Sequence, residues 1–220
     1  MSPASVMKLV TTYAALDLIG RNHRWRTDAY LDGTLADGTL DGDLVLKGGG
    51  DPKITLERWD AFIASMRDRG LAEIAGDLVL DRSAFRLPPH DPGAFDGEPL
   101  LPYNVGPDAL LVNFKSIRLH FAPTLEGDAV SVTPVPDLPQ VAVGRTPVPV
   151  DGPCGDWRES VDAAWILQPR AAAASFPGRF PRDCGERDWY VALLDHPNYV
   201  HGIFRAAFAS TGGRFDGAVR

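Results

Sequence analysis

The chain has 220 residues, 45% of them hydrophobic, and a formal net charge of −7 at pH 7, which is enough apolar content for a core in one or two domains. The acidic balance argues against nucleic acid or an anionic membrane surface as the main partner. No run approaches the ~18 uninterrupted apolar residues that a transmembrane helix needs.

In chain order, residues 6–19 of the opening "MSPASVMKLVTTYAALDLIG" read as a helix. Ser5 is a good N-cap, no Gly or Pro interrupts the run, and Gly20 stands at the C′ position. The segment is apolar nearly all round, which predicts a central, buried helix. Lys8 followed by "LVTTYAALDLI" imitates an export signal, but Thr11, Thr12 and Asp17 break the apolar stretch and no small-residue cleavage site follows.

Next, "RWRTDAYLDGTLADGTLDGDLVLKGGGDP" reads as two strands around Asp-Gly turns. "TLERWDAFIASMRDRGL" is an amphipathic helix with Trp59, Phe62, Ile63 and Met66 at i, i+3, i+4 and i+7, stopped by Gly70. "EIAGDLVLDRSAF" returns as a strand. Its "GDLVL" at 76–80 also occurs at 42–46, as expected of neighbouring strands that drew the same residues. Residues 86–113 are rich in Pro and Gly and loop-like. Residues 116–150 alternate ("SIRLHF", "AVSVTPV", "QVAVG"), with prolines that confine several strands to edges.

Cys154 and Cys184 have neither C-x-x-C nor His spacing, so zinc is not expected. They flank an irregular stretch that a disulfide would staple by about 3–4 kcal/mol; two buried thiols are the alternative. "DWYVALLD" is a further strand. Residues 197–211 form a helix with Pro197 at N1 and Val200, Ile203, Phe204, Ala207 and Phe208 inward. "GRFDGAVR" begins another strand, and the chain reads as cut at both ends.

The chemistry sits at the front. On a helix, residues three apart are neighbours, so Lys8 falls over Ser5. A serine hydroxyl is inert at neutral pH unless an adjacent base takes its proton, and a lysine amine serves where burial or the positive end of a helix favours its neutral form. The spacing S-x-x-K is weak evidence alone, and on spacing alone a capping serine followed by a surface lysine is the preferred reading.

The blocks "SPASVMKLVTTYAALDLIG", "LVLKGGGDP", "GDLVLDRSAF", "YNVGPDALLVNF" and "CGERDWYVALL" come in an order that resembles the type-4 penicillin-binding proteins. These are secreted or periplasmic serine D-alanyl-D-alanine carboxypeptidases, often also endopeptidases. The resemblance covers nearly the whole chain. It implies that Ser5 is acylated with Lys8 as base, that no cofactor takes part, that peptidoglycan stem peptides are the substrates, and that β-lactams inhibit the complete enzyme. It also implies a large insert after the first helix.

The pattern departs from the family in two places. S-x-N occurs nowhere, and the nearest stretch to K-T-G is "STGG" at 210–213, which lacks the cation. The chain is therefore expected to hold one of three motifs and to be inactive alone. The resemblance further implies that an acidic residue and an aromatic ring of the insert meet the ammonium of diaminopimelate-type peptides. Glu98 and Tyr103 of "PGAFDGEPLLPYN" match those positions, with Asp96 a near alternative and a polar loop as the plain reading.

Other motifs fall short. "KGGGDP" lacks the P-loop pattern, His196 and His201 are wrongly spaced for one helix face, and no G-x-S-x-G or H-E-x-x-H occurs. The fold class expected is α+β: a piece of a penicillin-binding/β-lactamase-like catalytic domain, contributing its central helix, then a mainly β two-lobed insert. The expected domains are 1–23 for the catalytic portion, 24–52 with 126–220 for the first inserted domain, and 53–125 for a nested second one. A non-catalytic cell-wall-binding or partner-binding β module is the rival reading.

Overall fold

A computed structural model describes residues 3–220. The α+β class holds: four α-helices stand among four small sheets. After a 3-10 turn at Ala4–Val6, helix α1 spans Met7–Leu18 and ends on Gly20, whose φ of +78° is the left-handed value that favours glycine at this position.

None of α1 is buried, which corrects the expectation of a central helix. Its composition was read correctly, but among the described residues no element packs over it. Leu9 and Leu18 are 72% and 81% exposed. No helix of the described residues is long and apolar enough to cross a membrane.

Strands β1 (Thr27–Ala36) and β2 (Thr39–Gly48) form the expected hairpin, with Asp37 and Gly38 at φ +50° and +82° in its two-residue turn. Gly33 and Gly42 face each other across it, and a Cβ on Gly42 would lie 2.2 Å from the Asp32 carbonyl oxygen. Helix α2 (Leu56–Asp68) is capped by Thr55, which accepts from the Arg58 amide, and buries Trp59, Ile63 and Met66. The strand expected next arrives in two pieces, β3 (Glu73–Ile74) and β4 (Leu78–Asp81), both parallel to β2. The two "GDLVL" copies lie side by side in register, Leu44 opposite Leu78 and Leu46 opposite Leu80. Asp43 fixes the break by accepting from the Asp77 amide at 2.7 Å.

The second half is organised around β5 (Ile117–Pro123), which pairs with β6 (Val130–Val135). Then come β7 (Val141–Val143), β8 (Val148–Val150), the single-turn α3 (Trp157–Ser160), β9 (Ala164–Gln168), β10 (Ala171–Ser175), β11 (Arg179–Pro181) and β12 (Arg187–Val191). Strand β12 pairs with the other edge of β5, β10 sits between β7 and β9, and β11 pairs with β8. Alternate residues Ile117, Leu119 and Phe121 point inward. Phe121 stacks on Phe180 at 5.9 Å and meets Phe176 and Trp157 edge-on at 4.9 and 5.1 Å. The Cys154–Cys184 disulfide is formed.

Helix α4 (His196–Ser210) then returns to the first sheet, capped by Asp195, with Val200, Ile203, Phe204, Ala207 and Phe208 buried as expected. It leads into β13 (Arg214–Phe215) beside β3. Strands β2, β3, β4 and β13 thus share one sheet across the boundary expected at 52/53, and the β5–β6 pair spans the one expected at 125/126.

Because Phe121 is fully buried at the centre of the aromatic cluster, Phe121→Ala should lower the unfolding free energy by about 3–5 kcal/mol. Urea denaturation checks this, and a loss below about 1 kcal/mol would show that the cluster does not hold this half together.

Candidate active site

Ser5 stands inside the 3-10 turn Ala4–Val6, between Ala4 at φ +44° and Val6 in right-handed helical backbone. A capping serine needs extended backbone just outside the helix. Neither the 3-10 turn nor α1 has a side-chain cap, so the N-cap role expected of Ser5 is corrected. Its hydroxyl is left free for the helix face, where the ammonium of Lys8 donates to Ser5 Oγ at 3.1 Å. The three-residue spacing therefore produces the contact that the chemistry needs. Run in reverse, with a neutral amine accepting, the same line moves the proton from Oγ to Nζ. Both partners are exposed.

Glu98 and Tyr103 lie on one loop, pinned by the buried Asn104. Asn104 Nδ2 donates to Asp96 Oδ1 at 2.7 Å and to the Glu98 carbonyl at 2.9 Å. Asp96 also accepts from the Glu98 amide at 2.9 Å. The Asp96 carboxylate is thus occupied in shaping the loop, whereas that of Glu98 has no partner among the described residues. Tyr103 is 80% exposed and packs beside Phe95, ring centroids 6.3 Å apart. The sequence carries no signal of this pairing, because an aromatic residue in a Pro/Gly-rich loop has no period to place it. Glu98 also borders a cleft of about 720 Å³ walled by Leu100, Trp165, Trp189 and Arg158, with the Arg158 guanidinium over the Trp189 ring at 5.5 Å.

The structure therefore brings Ser5 to Lys8, and Glu98 to the same loop as Tyr103. Among the described residues no hydrogen bond, ion pair or ring contact joins one pair to the other. The glycines of "KGGGDP" serve close passage: a Cβ on Gly48 would lie 2.2 Å from the Ala109 carbonyl oxygen, which accepts from the Gly50 amide at 2.7 Å. Among the described residues no group of His, Cys, Asp and Glu could hold a metal.

A sequence model of the D-Ala-D-Ala carboxypeptidase 3 (S13) family matches residues 1–220. Two curated relatives match shorter segments. D-alanyl-D-alanine carboxypeptidase DacB of Haemophilus influenzae is 34% identical over 93 residues, 42% of this chain and 19% of that protein. A D-alanyl-D-alanine carboxypeptidase of Actinomadura sp. strain R39 is 36% identical over 83 residues, 38% of this chain and 15% of that one. The crystal structure of penicillin binding protein 4 (dacB) from H. influenzae aligns with all of this chain and 48% of its own, with a TM-score of 0.73 and 23% identity. A structure of that protein complexed with a novel β-lactam aligns with a TM-score of 0.68 and 21% identity, again with all of this chain and 46% of its own. The chain thus spans about half of the solved protein, and the likeness in three dimensions is one of fold.

An unpacked apolar helix of 12 residues is marginal by itself in water. The amides of α1 should exchange with deuterium far faster than those of 199–208 in α4, followed by hydrogen-exchange NMR. Equal protection of the two helices would contradict the exposed position of α1.

Proposed function

The chain belongs to the D-Ala-D-Ala carboxypeptidase 3 (S13) family, and on that premise we propose that Ser5 is the residue acylated, and Lys8 its base, in a peptidase acting on peptidoglycan stem peptides. The observation that carries the reading is the 3.1 Å contact between Lys8 Nζ and Ser5 Oγ, within the "PAS-x-x-K" pattern. In the reaction a neutral Lys8 takes the Ser5 proton as Oγ attacks the carbonyl between the two D-alanines. The tetrahedral adduct collapses, the C-N bond breaks, and the departing amine leaves with a proton. Water then attacks the acyl-serine ester, releasing the shortened peptide and restoring the hydroxyl. A β-lactam presents the same carbonyl with its amine tethered by the ring.

These 220 residues lack S-x-N and K-T-G, and with them a proton-transfer partner, a wall of the pocket and an oxyanion donor. Removing one such donor typically costs about 10²–10³ in rate, so the reading assigns the chain alone no turnover. The exposed apolar surface of α1 supports a catalytic domain that closes over it, bringing Lys8 into the dry surroundings that a lysine base requires. Residues 1–23 are assigned to that domain. Glu98 and Tyr103 are assigned to the substrate, the carboxylate pairing its ammonium and the ring covering it. A periplasmic or secreted location follows from the wall substrate and agrees with the disulfide.

A fluorescent penicillin should label Ser5 in a longer protein that carries S-x-N and K-T-G, and leave this chain unlabelled. Stoichiometric labelling of this chain would refute the inactivity; no labelling of Ser5 in the longer protein would favour the wall-binding module instead. In that longer protein Glu98→Gln should lower kcat/KM about tenfold or more on substrates with the free amine. An equal loss on small ester substrates would dismiss the role of Glu98.

A further inference from the structure

A cavity of about 510 Å³ lies between the 87–107 loop and the start of α4; Glu98 does not line it, but its neighbour Pro99 lines both this cavity and the Glu98 cleft. Its walls are largely apolar and stiff: Pro88, Pro89, Pro92, Pro99, Pro107 and Pro197 all face it. Arg82, His90, Lys115, Asp195 and His196 line it, with Asp108 behind His196, and they are unequally satisfied; His90 Nε2 is engaged with the Asn104 carbonyl at 2.8 Å.

The two acids are occupied. Asp108, with its side chain 1% exposed, accepts from Arg82 Nε at 2.7 Å, from a second nitrogen of the same guanidinium, and from the Leu110 amide at 2.9 Å. Asp195 caps α4, accepting from the Asn198 amide at 2.8 Å and from Asn198 Nδ2 at 2.9 Å. The end of α4 is therefore already closed by its own side chain.

The two remaining bases are not occupied. His196 Nε2 is buried without a hydrogen-bond partner, its nearest acceptor being Asp108 Oδ2 at 3.9 Å, too far for a hydrogen bond. Lys115 is half-buried, and among the described residues its ammonium makes no hydrogen bond or ion pair. It is delivered to the cavity by three consecutive left-handed residues, Asn113, Phe114 and Lys115, at φ +46°, +51° and +54°. Non-glycine residues in this region cost about 1–3 kcal/mol each. The turn is held by Asn113 Nδ2 donating to Tyr199 Oη at 3.2 Å and to the Ser116 carbonyl at 3.0 Å, which Tyr199 also engages at 3.0 Å. Such strain, kept in place by buried hydrogen bonds, puts an unpaired cation in an apolar pocket.

We propose that this cavity binds a small organic carboxylate, its charge held by Lys115 Nζ and His196 Nε2 and its apolar body by the proline wall. Lys115 Nζ is a donor, and His196 Nε2 is one in the tautomer or the imidazolium that carries its proton there, which suits an anion. Asp195 in the wall and Asp108 behind it repel a second negative charge, which selects a monoanion over a dianion. The prolines exclude water and have no amide hydrogen to offer, which selects an apolar body. This site stands apart from the peptidase reading and does not depend on it.

Burial pushes the His196 imidazole down to about 4, against the pull of Asp108 and Asp195 and with that of Lys115 and Arg82; burial likewise lowers Lys115. A bound carboxylate should favour the charged form of both. The test uses benzoate as the probe, with the His196 ring signals followed by NMR across pH in the whole chain. Benzoate should raise the His196 titration midpoint by about one unit or more, sulfate, a dianion across this range, should not reproduce the shift, and Lys115→Met should weaken benzoate binding about tenfold or more. An unmoved His196 midpoint, or binding unchanged by Lys115→Met, overturns the site, and an equal effect of sulfate overturns the carboxylate assignment. Should Lys115→Met not fold by circular dichroism, the wild-type titration decides alone.

Discussion

A single helical turn sets the distance between one hydroxyl and one amine, and the functional account depends on it. Ser5 and Lys8 meet at 3.1 Å because they are three residues apart on a helix, not because the contact stabilises anything. An exposed contact of this kind contributes little to folding. Its worth lies in geometry, and geometry becomes chemistry only in a dry site. Leu9, Val10, Leu16 and Leu18 on the same helix are exposed, and covering each would gain roughly 1.5–3 kcal/mol. The surface that buries these side chains would also strip water from Lys8. One cover over α1 would thus both bury its apolar face and favour a neutral Lys8.

Beyond α1, the fold is shaped by two kinds of constraint. One is backbone pairing: the parallel register of β2 with β4 sets the two "GDLVL" segments side by side, and α4 returns the end of the chain to the same sheet. The other is side-chain capture of loop backbone. Asn104 ties the Glu98 loop together, and Asn113 with Tyr199 ties the left-handed turn. Long stretches without regular structure are thereby given fixed shapes, and Glu98, Tyr103 and Lys115 all project from such stretches.

Local signals read well from sequence because their causes are local. The Asp37–Gly38 turn announced its hairpin, Trp59, Ile63 and Met66 announced the buried face of α2, and Pro197 with the apolar spacing of 200–208 announced α4. The S-x-x-K pair was legible for the same reason. What failed needed knowledge of neighbours. An apolar helix predicts burial only if a partner is present, and α1 has none among the described residues. A serine ahead of a helix predicts a cap only if its backbone is extended, and the turn at Ala4–Val6 is already helical. The joining of β3 and β4 to β2 is a pairing across about thirty residues that no periodicity reveals. Arg82, the 108–115 stretch and His196 converge from three separate segments, so no spacing groups them.

The most direct measurement is a crystal structure of a penicillin adduct of a longer protein that includes this chain with S-x-N and K-T-G. The account predicts an ester bond from Ser5 Oγ to the opened lactam carbonyl, with Lys8 Nζ within about 3 Å of that oxygen and α1 buried. An adduct on any other residue, or a Lys8 amine turned to solvent away from the ester, would contradict it.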